Sequence, residues 1–252
     1  MIFTGKALEE SGYRVDTLGL LPYDTGDPSA ADIIILPVPA TRDKVNINCA
    51  LTDRKIPLDL LKSIPENTPV FGGGKVNIKN YTDYLSRDEY AVKNAVLTAE
   101  GAISHAIGNT GFSLWKSRIL IIGYGRVGKA LYSRLSGFYP LITVSARSQR
   151  DFAALDSLGI SSIETSTIGA VKSGFDIVFN TVDIKYDTSV ARALSPATFL
   201  DLSTYGGFAD NTAEKCGLTY KRLPGIPAVC APETAGKIIA ETVISLQKQK
   251  GE

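Results

Sequence analysis

Histidine, cysteine, methionine and tryptophan are all scarce in these 252 residues: one His, three Cys, one Met and one Trp. With His105 the only imidazole, the ligand sets that usually hold zinc are lacking and no metal is expected. Cys49, Cys216 and Cys230 are isolated, odd in number and form no C-x-x-C pair. That excludes a disulfide framework and fits reduced thiols in a cytoplasmic protein. Neither sign of charge is in excess, since 27 Lys+Arg stand against 26 Asp+Glu. Such a balance does not attract nucleic acid or an anionic membrane, so neither is expected as a partner. No apolar run approaches the ~20 residues of a membrane-spanning helix. The first ten residues lack a signal-peptide pattern. Also missing is a strand ahead of the first helix. "TGKALEESGYRV" predicts a helix leading into a strand, whereas an open α/β domain usually starts with a strand.

What is present is strand–helix alternation, the pattern of a parallel α/β sheet. "YRVDTLGL", "ADIIILPVPA" and "TPVFGGG" predict buried strands, "PLDLLKSI" has helical spacing, and "EYAVKNAVL" is β-compatible. Thr98 has the chemistry of a helix N-cap, with Ala102, Ile103, Ala106 and Ile107 at helical spacing behind it and Gly108-Asn109 ending the helix. Trp115, in the connector that follows, is expected to pack at a domain junction. Beyond it, strands are predicted at 119–123, at 141–145, in "FDIVFNTV", in "ATFLDLST" and in "LTYKRLPG". The fold class expected is α/β with two open parallel-sheet domains, the second a Rossmann dinucleotide-binding domain. Residues 1–97 would form the first domain, without its first strand, joined by the C-terminal helix 234–252. Residues 98–233 would form the second.

"RILIIGYGRVGKALYSRL" carries the clearest chemistry. An apolar strand runs into G-x-G-x-x-G and then an amphipathic helix. Gly123 permits the tight turn, Gly125 lets backbone approach a pyrophosphate, and Gly128 allows close helix–strand packing. Tyr124, Arg126 and Val127 complete the loop, whose N–H groups would meet the anion. The next strand ends in "SARS" without the acid that usually binds the ribose of NAD. Arg147 and Ser148 suit a 2′-phosphate instead, so NADP (NADPH) is the expected cofactor. Asn180, Thr181, Val182 and Ser203 stand at later strand ends and Pro224 in the turn after the last strand. All join the expected cofactor set, since the carboxyl ends of strands line the crevice of such sheets.

The segments "LTAEGAISHAIGNT", "GYGRVGKAL", "SARS", "FNTV", "LDLST" and "LPGIPAVCAPETAG" together resemble the A-type subunit of dipicolinate synthase from spore-forming bacteria, with weaker agreement back to "ADIIILPV". The resemblance implies an NADP-binding dehydrogenase-like chain in a two-subunit enzyme, beside a flavoprotein-like B-type subunit. The reaction implied forms dipicolinate from the hydroxy-tetrahydrodipicolinate of the lysine pathway, by hydride transfer to NADP and loss of water, and belongs to sporulation. A homodimer is compatible with it. Asp183 stands where the family commonly has Pro, Tyr205-Gly206-Gly207 where it has a "PGG", and Glu233 where it has Lys. These departures bear on the substrate more than on the cofactor, because an added carboxylate repels a dicarboxylate.

Glu100 and Thr98 are the catalytic candidates. Glu100 falls on the face of Ile103 and Ile107, where an inward carboxylate can serve as general base, or it is simply a first-turn acid favoured by the helix dipole. Lys75, Lys185 and the backbone at Gly206-Gly207 are candidate partners for a dicarboxylate. Two other readings stay open. One is another NADP-dependent dehydrogenase, of 2-hydroxy acid or shikimate type, although its usual His or Lys–Asp arrangement is not evident. The other is a non-catalytic cofactor-binding subunit that depends on a flavoprotein-like partner.

Overall fold

The computed structural model describes residues 1–171, 174–209 and 211–251. The chain divides into two compact units, Met1–Asn94 with the segment from Pro232 onward, and Ala95–Ala231.

The first unit opens with helix α1 (Ile2–Glu10), and no described strand precedes it. Its sheet has three parallel strands, β1 (Ile34–Ile35), β2 (Val70–Gly72) and β3 (Tyr81–Asp83), in that spatial order. "YRVDTLGL", predicted as a strand, forms none. Asp24, just past it, accepts the N–H groups of Gly19, Leu20 and Leu21, and these short-range bonds close a loop instead. "PLDLLKSI" contains a short 3-10 turn, Leu58–Lys62. The segment after Ala231 returns to this unit as α8 (Pro232–Gly251), with Pro in the first turn where its missing N–H is harmless. Position 252 of the helix expected over 234–252 lies outside the described residues. Ala7 and Leu8 of α1 pack with Ala240 of α8.

Helix α2 (Asp88–Thr110) corrects two expectations. "EYAVKNAVL" is helical, not extended, and Thr98 lies in mid-helix rather than at an N-cap. Asp88 and Glu89 favour the earlier helix start through the dipole. Buried Ala95, Ala99, Ala102 and Ala106 then form one stripe at helical spacing. The β-branched Val92, which suggests a strand in the sequence, is solvent-exposed.

The second unit continues with β4 (Arg118–Ile122), α3 (Arg126–Leu135), β5 (Leu141–Ala146), α4 (Gln149–Ser157), β6 (Ser161–Glu164), β7 (Ile177–Asn180), α5 (Thr188–Leu194), β8 (Thr198–Asp201), α6 (Thr212–Lys215), β9 (Thr219–Arg222) and α7 (Ile226–Cys230). All six strands are parallel, in the order β6-β5-β4-β7-β8-β9. Counted within the unit, this is the 3-2-1-4-5-6 order of a Rossmann sheet. Strand residues alternate between two cores. Ile119, Ile121, Val144 and Phe179 meet Leu131 and Leu135 of α3, whereas Leu120, Ile122, Val178 and Phe199 meet Ala191 and Leu194 of α5. Burial on both faces is why these strands read as continuous apolar runs. The polar edge strand β6 has no such signal. Trp115, expected at a domain junction, is 60% exposed, with the Lys116 ammonium 4.4 Å above its ring. Among the described residues no helix is long and apolar enough to cross a membrane.

Candidate functional site

The strand order reverses between β4 and β7, and the glycine fingerprint sits at that point. Gly123 leaves β4 with φ +99°, and a Cβ on it would strike Val182 and the Thr181 hydroxyl. Gly128 lies in the first turn of α3, where a Cβ would come 2.0 Å from the carbonyl oxygen of Gly123. Gly125 is different. Its backbone (φ −79°, ψ −164°) suits any residue, and a Cβ on it would meet nothing within 4 Å. Among the described residues no atom requires a glycine there. Nor does any side chain cap α3 at its N-terminus, whereas α4 and α5 are capped by Ser148 and Asp187. Uncapped N–H groups at a helix start form an anion site. Tyr124 is half-buried, with Lys129 Nζ 5.0 Å from its ring centre, and Val127 packs on the core beneath. Arg126 is exposed.

One row of residues crosses the sheet near its carboxyl ends: Ser145, Ile122, Asn180, Asp201 and Arg222 are successive register partners. Asn180 and Asp201 are both buried, and they bond each other, Asn180 Nδ2 donating to Asp201 Oδ1 at 2.9 Å. Asp201 also accepts the N–H of Ser203 (3.0 Å), the N–H of Gly207 (2.5 Å) and the Tyr220 hydroxyl (2.6 Å). The Tyr186 hydroxyl completes the set on Asn180 Oδ1 at 2.9 Å. Burial alone would raise the Asp201 pKa. The bonds from Ser203, Tyr220 and Gly207 outweigh it and hold the carboxyl below its ordinary value. Burial, with the bonded Asp201 carboxylate, pushes the Tyr220 phenol up to about 12. None of Asp201, Tyr186 and Tyr220 stands out in the sequence as a site residue. The available signal is an acid ending the apolar strand "TFLD", a place where an unpaired charge is not tolerated.

The other expected cofactor residues divide by what holds them. Thr181 donates its hydroxyl to the Ile122 carbonyl at 2.8 Å beside Gly123, and Val182 is half-buried next to it. Asn180 and Ser203 are buried in the network around Asp201. Arg147 is exposed just past β5. Ser148 caps α4 and donates to Asp151 Oδ2 at 2.7 Å, so its hydroxyl is partly committed. Pro224 is exposed just past β9.

The loop after β8 explains two of the sequence departures. Asp183 Oδ1 accepts the N–H groups of Thr204 (2.7 Å) and Tyr205 (3.2 Å). A proline at 205 would have no N–H to give, so the acid at 183 and the tyrosine at 205 answer one another. Lys185 is likewise not a free cation, because its ammonium donates to the carbonyls of Tyr205 (3.0 Å) and Gly206 (2.7 Å). The Gly207 N–H belongs to Asp201. The expectation that Lys185 and this backbone await a dicarboxylate is therefore corrected: they fasten the loop. Glu233 forms an ion pair with Lys237, one helical turn on, at 3.0 Å.

The inward face expected for Glu100 is also corrected. Glu100 and Ile107 are exposed, and Glu100 Oε1 meets Arg134 Nε at 3.1 Å. Arg134 is in the last turn of α3, about 12 Å along the axis from Arg126 at 1.5 Å per residue. Thr98 is half-buried in α2 and His105 half-buried further along it. Glu100→Gln is expected to lower stability by less than ~1 kcal/mol, as for other exposed ion pairs. Turnover is expected to change less than about twofold; a hundredfold fall in kcat would return Glu100 to the proton step.

The segments most specific in sequence hold packing glycines. A Cβ on Gly101 of "TAEGAI" would come 2.2 Å from Ile226 and 3.0 Å from Cys230 Sγ, so α2 lies against α7. A Cβ on Gly236 of "APETAG" would come 2.6–2.7 Å from Phe3 and Thr4, so α8 lies against α1.

Residues 2–88 match the family described as the N-terminal domain of the dipicolinate synthase A-type subunit, over the stretch where the sequence resemblance is weaker. The A-type subunit of dipicolinate synthase from Bacillus subtilis is 28% identical over 229 residues, spanning 85% of this chain and 77% of that protein. The crystal structure of the Bacillus subtilis protein superposes with a TM-score of 0.85 at 26% identity, covering 100% of this chain and 94% of that one. Its counterpart from Bacillus halodurans shares the fold, with a TM-score of 0.87 at 23% identity over 97% and 93% of the two chains. The resemblance to the A-type subunit of dipicolinate synthase is thus borne out, and it extends through both units.

Proposed function

We propose that this chain, similar to the A-type subunit of dipicolinate synthase along its length, is the NADP-binding oxidoreductase chain of a dipicolinate synthase-type enzyme. The overall change runs from a hydroxy-tetrahydrodipicolinate to dipicolinate, with loss of one water and removal of a hydride and a proton. A bound nicotinamide dinucleotide supplies the hydride acceptor. The observation that carries the cofactor half of the proposal is Gly125, a glycine with open space over it, beside the uncapped start of a Rossmann helix. In this proposal the N–H groups at the start of α3 hold the pyrophosphate and Arg126 helps with phosphate charge. Thr181, Val182 and Pro224 border the site, and Ser203 and Asn180 support its floor from within. The chain works with a flavoprotein-like partner of the B type.

The preference for NADP over NAD rests on Arg147, with Ser148 and its cap partner Asp151 beside it. Arg147→Ala is expected to weaken NADPH binding about tenfold or more while leaving NADH within about twofold, since an arginine–phosphate pair is a charge-assisted contact that NAD lacks. Paired titrations of both cofactors read this. Tighter NADH binding by the unaltered protein overturns the assignment. Assays of the chain alone, and with a flavoprotein-like B-type partner, separate the alternatives. Turnover of a simple hydroxy acid by the chain alone favours another dehydrogenase. Lack of turnover with the partner and the lysine-pathway intermediate favours a non-catalytic subunit.

A further inference from the structure

The first unit carries a feature that nucleotide binding leaves unused. An open hollow of about 620 Å³ lies past the carboxyl ends of β1 and β2 and beside β3. Ligand pockets fall in this size range, and parallel sheets present ligands at this end. Lys44 and Lys75 both line it. Both lysines and Asn77, which lines the hollow with them, are solvent-exposed, and among the described residues none of the three side chains has a carboxylate or hydrogen-bond partner.

Both lysines are presented by fastened turns. Gly74, at φ +95°, donates its N–H to Asp83 Oδ1 at 3.0 Å and accepts the Tyr81 hydroxyl on its carbonyl, which fixes the turn that delivers Lys75. Asp83 also accepts the Leu85 N–H at 2.9 Å, so the one acid in the lining is occupied with backbone. On the other side Asp43 Oδ1 accepts the N–H groups of Val45 (2.9 Å) and Asn46 (2.7 Å), and the Lys44 N–H donates to Thr41 Oγ1 at 3.0 Å. These bonds hold Lys44 at φ +64°, a conformation that favours Gly or Asn over a lysine. Leu58 and Val76 give the hollow apolar walls.

We propose that this hollow seats a small planar dicarboxylate, with its carboxylates on Lys44 and Lys75, its remaining polar edge on Asn77, and its ring against Leu58 and Val76. The identity of the anion rests on the oxidoreductase reading above; the fit to a doubly anionic ligand rests on two unpartnered ammonium groups that line one hollow.

The test is calorimetric titration of the full chain with dipicolinate, with and without NADPH, and a separate NADPH titration of each preparation. Lys44→Ala and Lys75→Ala are each expected to weaken dipicolinate about tenfold, and the pair about fiftyfold or more, as for other charge-assisted contacts. NADPH affinity stays within about twofold. Lys79→Ala is the control, since Lys79, exposed like the other two, lies outside the lining and is already paired with Glu66 at 2.9 Å; it is expected to leave dipicolinate binding unchanged. Equal binding by the double variant overturns the proposal, as does an equal loss in the Lys79 control. If NADPH binds but dipicolinate does not, the hollow is not its seat, and the nucleotide reading stands. If lysine-dependent dipicolinate binding persists without any NADPH affinity, the hollow is upheld and the nucleotide reading falls.

Discussion

Gly128→Ala is expected to damage folding and nucleotide binding together, whereas Gly125→Ala damages binding alone. At 128 the new methyl would lie 2.0 Å from the Gly123 carbonyl oxygen and 3.0 Å from its carbon. These are backbone atoms with no rotamer to change, so α3 must move off β4. Overpacking at a site with no room to give costs about 3 kcal/mol. Moving α3 also turns its N–H groups away from where an anion would sit, so the nucleotide affinity should fall at least about a hundredfold. At 125 the methyl enters open space on a backbone any residue adopts, so the melting temperature should stay within about 2 °C. Whatever occupies that space in the complex is displaced, and NADPH binding should fall by a similar factor. Thermal melts and fluorescence titrations of the two variants read both quantities. Equal stability losses would mean that Gly125 is a structural glycine, and the cofactor proposal would lose its main support.

Asp201→Ala is expected to lower stability by about 4 kcal/mol, the range for removing one side of a buried charged network. Four donors would lose a bond: the N–H of Ser203, the Tyr220 hydroxyl, the Asn180 amide, which keeps the Val182 carbonyl at 3.1 Å, and the Gly207 N–H, which keeps only the longer contact to the Tyr220 oxygen at 3.3 Å. Asp201→Asn keeps the shape but removes the charge and turns an NH₂ toward groups that are already donors. About half the loss is expected. The pH dependence gives the sign of the charge. The folded Asp201 pKa lies below its unfolded value near 3.9. The stability it adds is therefore full above about pH 4 and is lost as pH falls through the depressed folded value. Denaturant unfolding at pH 7 and at decreasing acid pH should show the gap between the natural chain and Asp201→Asn narrowing below about pH 4. A gap that keeps its size down to pH 2 would mean the carboxylate is not the stabilising form.

These two sites mark the limits of what the sequence discloses. Gly123, Gly125 and Gly128 are legible because their roles depend on backbone and spacing, which local sequence specifies in full. The inner strands of the six-strand sheet are legible for a similar reason, since burial on both faces makes them apolar runs, whereas the polar edge strand β6 carries no such signal. Asp201 is not, because its meaning comes from Asn180, Tyr186, Gly207 and Tyr220, joined only by register and loop closure. Asp183 and Lys185 mislead for the same cause. A lone charge near a strand end suggests a ligand contact, and only the fold reveals the backbone groups it already holds. The opposite error arises at "EYAVKNAVL", where β-branched residues outweigh the first-turn acids and the alanine stripe that decide for a helix.

The route of the chain through its two units has a bearing on how the protein is made. The second unit is one continuous stretch, Ala95–Ala231, and it can close its own core as soon as that stretch is available. The first unit has a different schedule. Its opening helix packs on α8, and α8 is synthesised only after every residue of the second unit. During translation Ala7, Leu8 and the backbone at Phe3 and Thr4 must therefore wait, uncovered, for Gly236 and Ala240 to arrive. The Rossmann unit is thus set to mature first on the ribosome, and the unit with the lysine-lined hollow last.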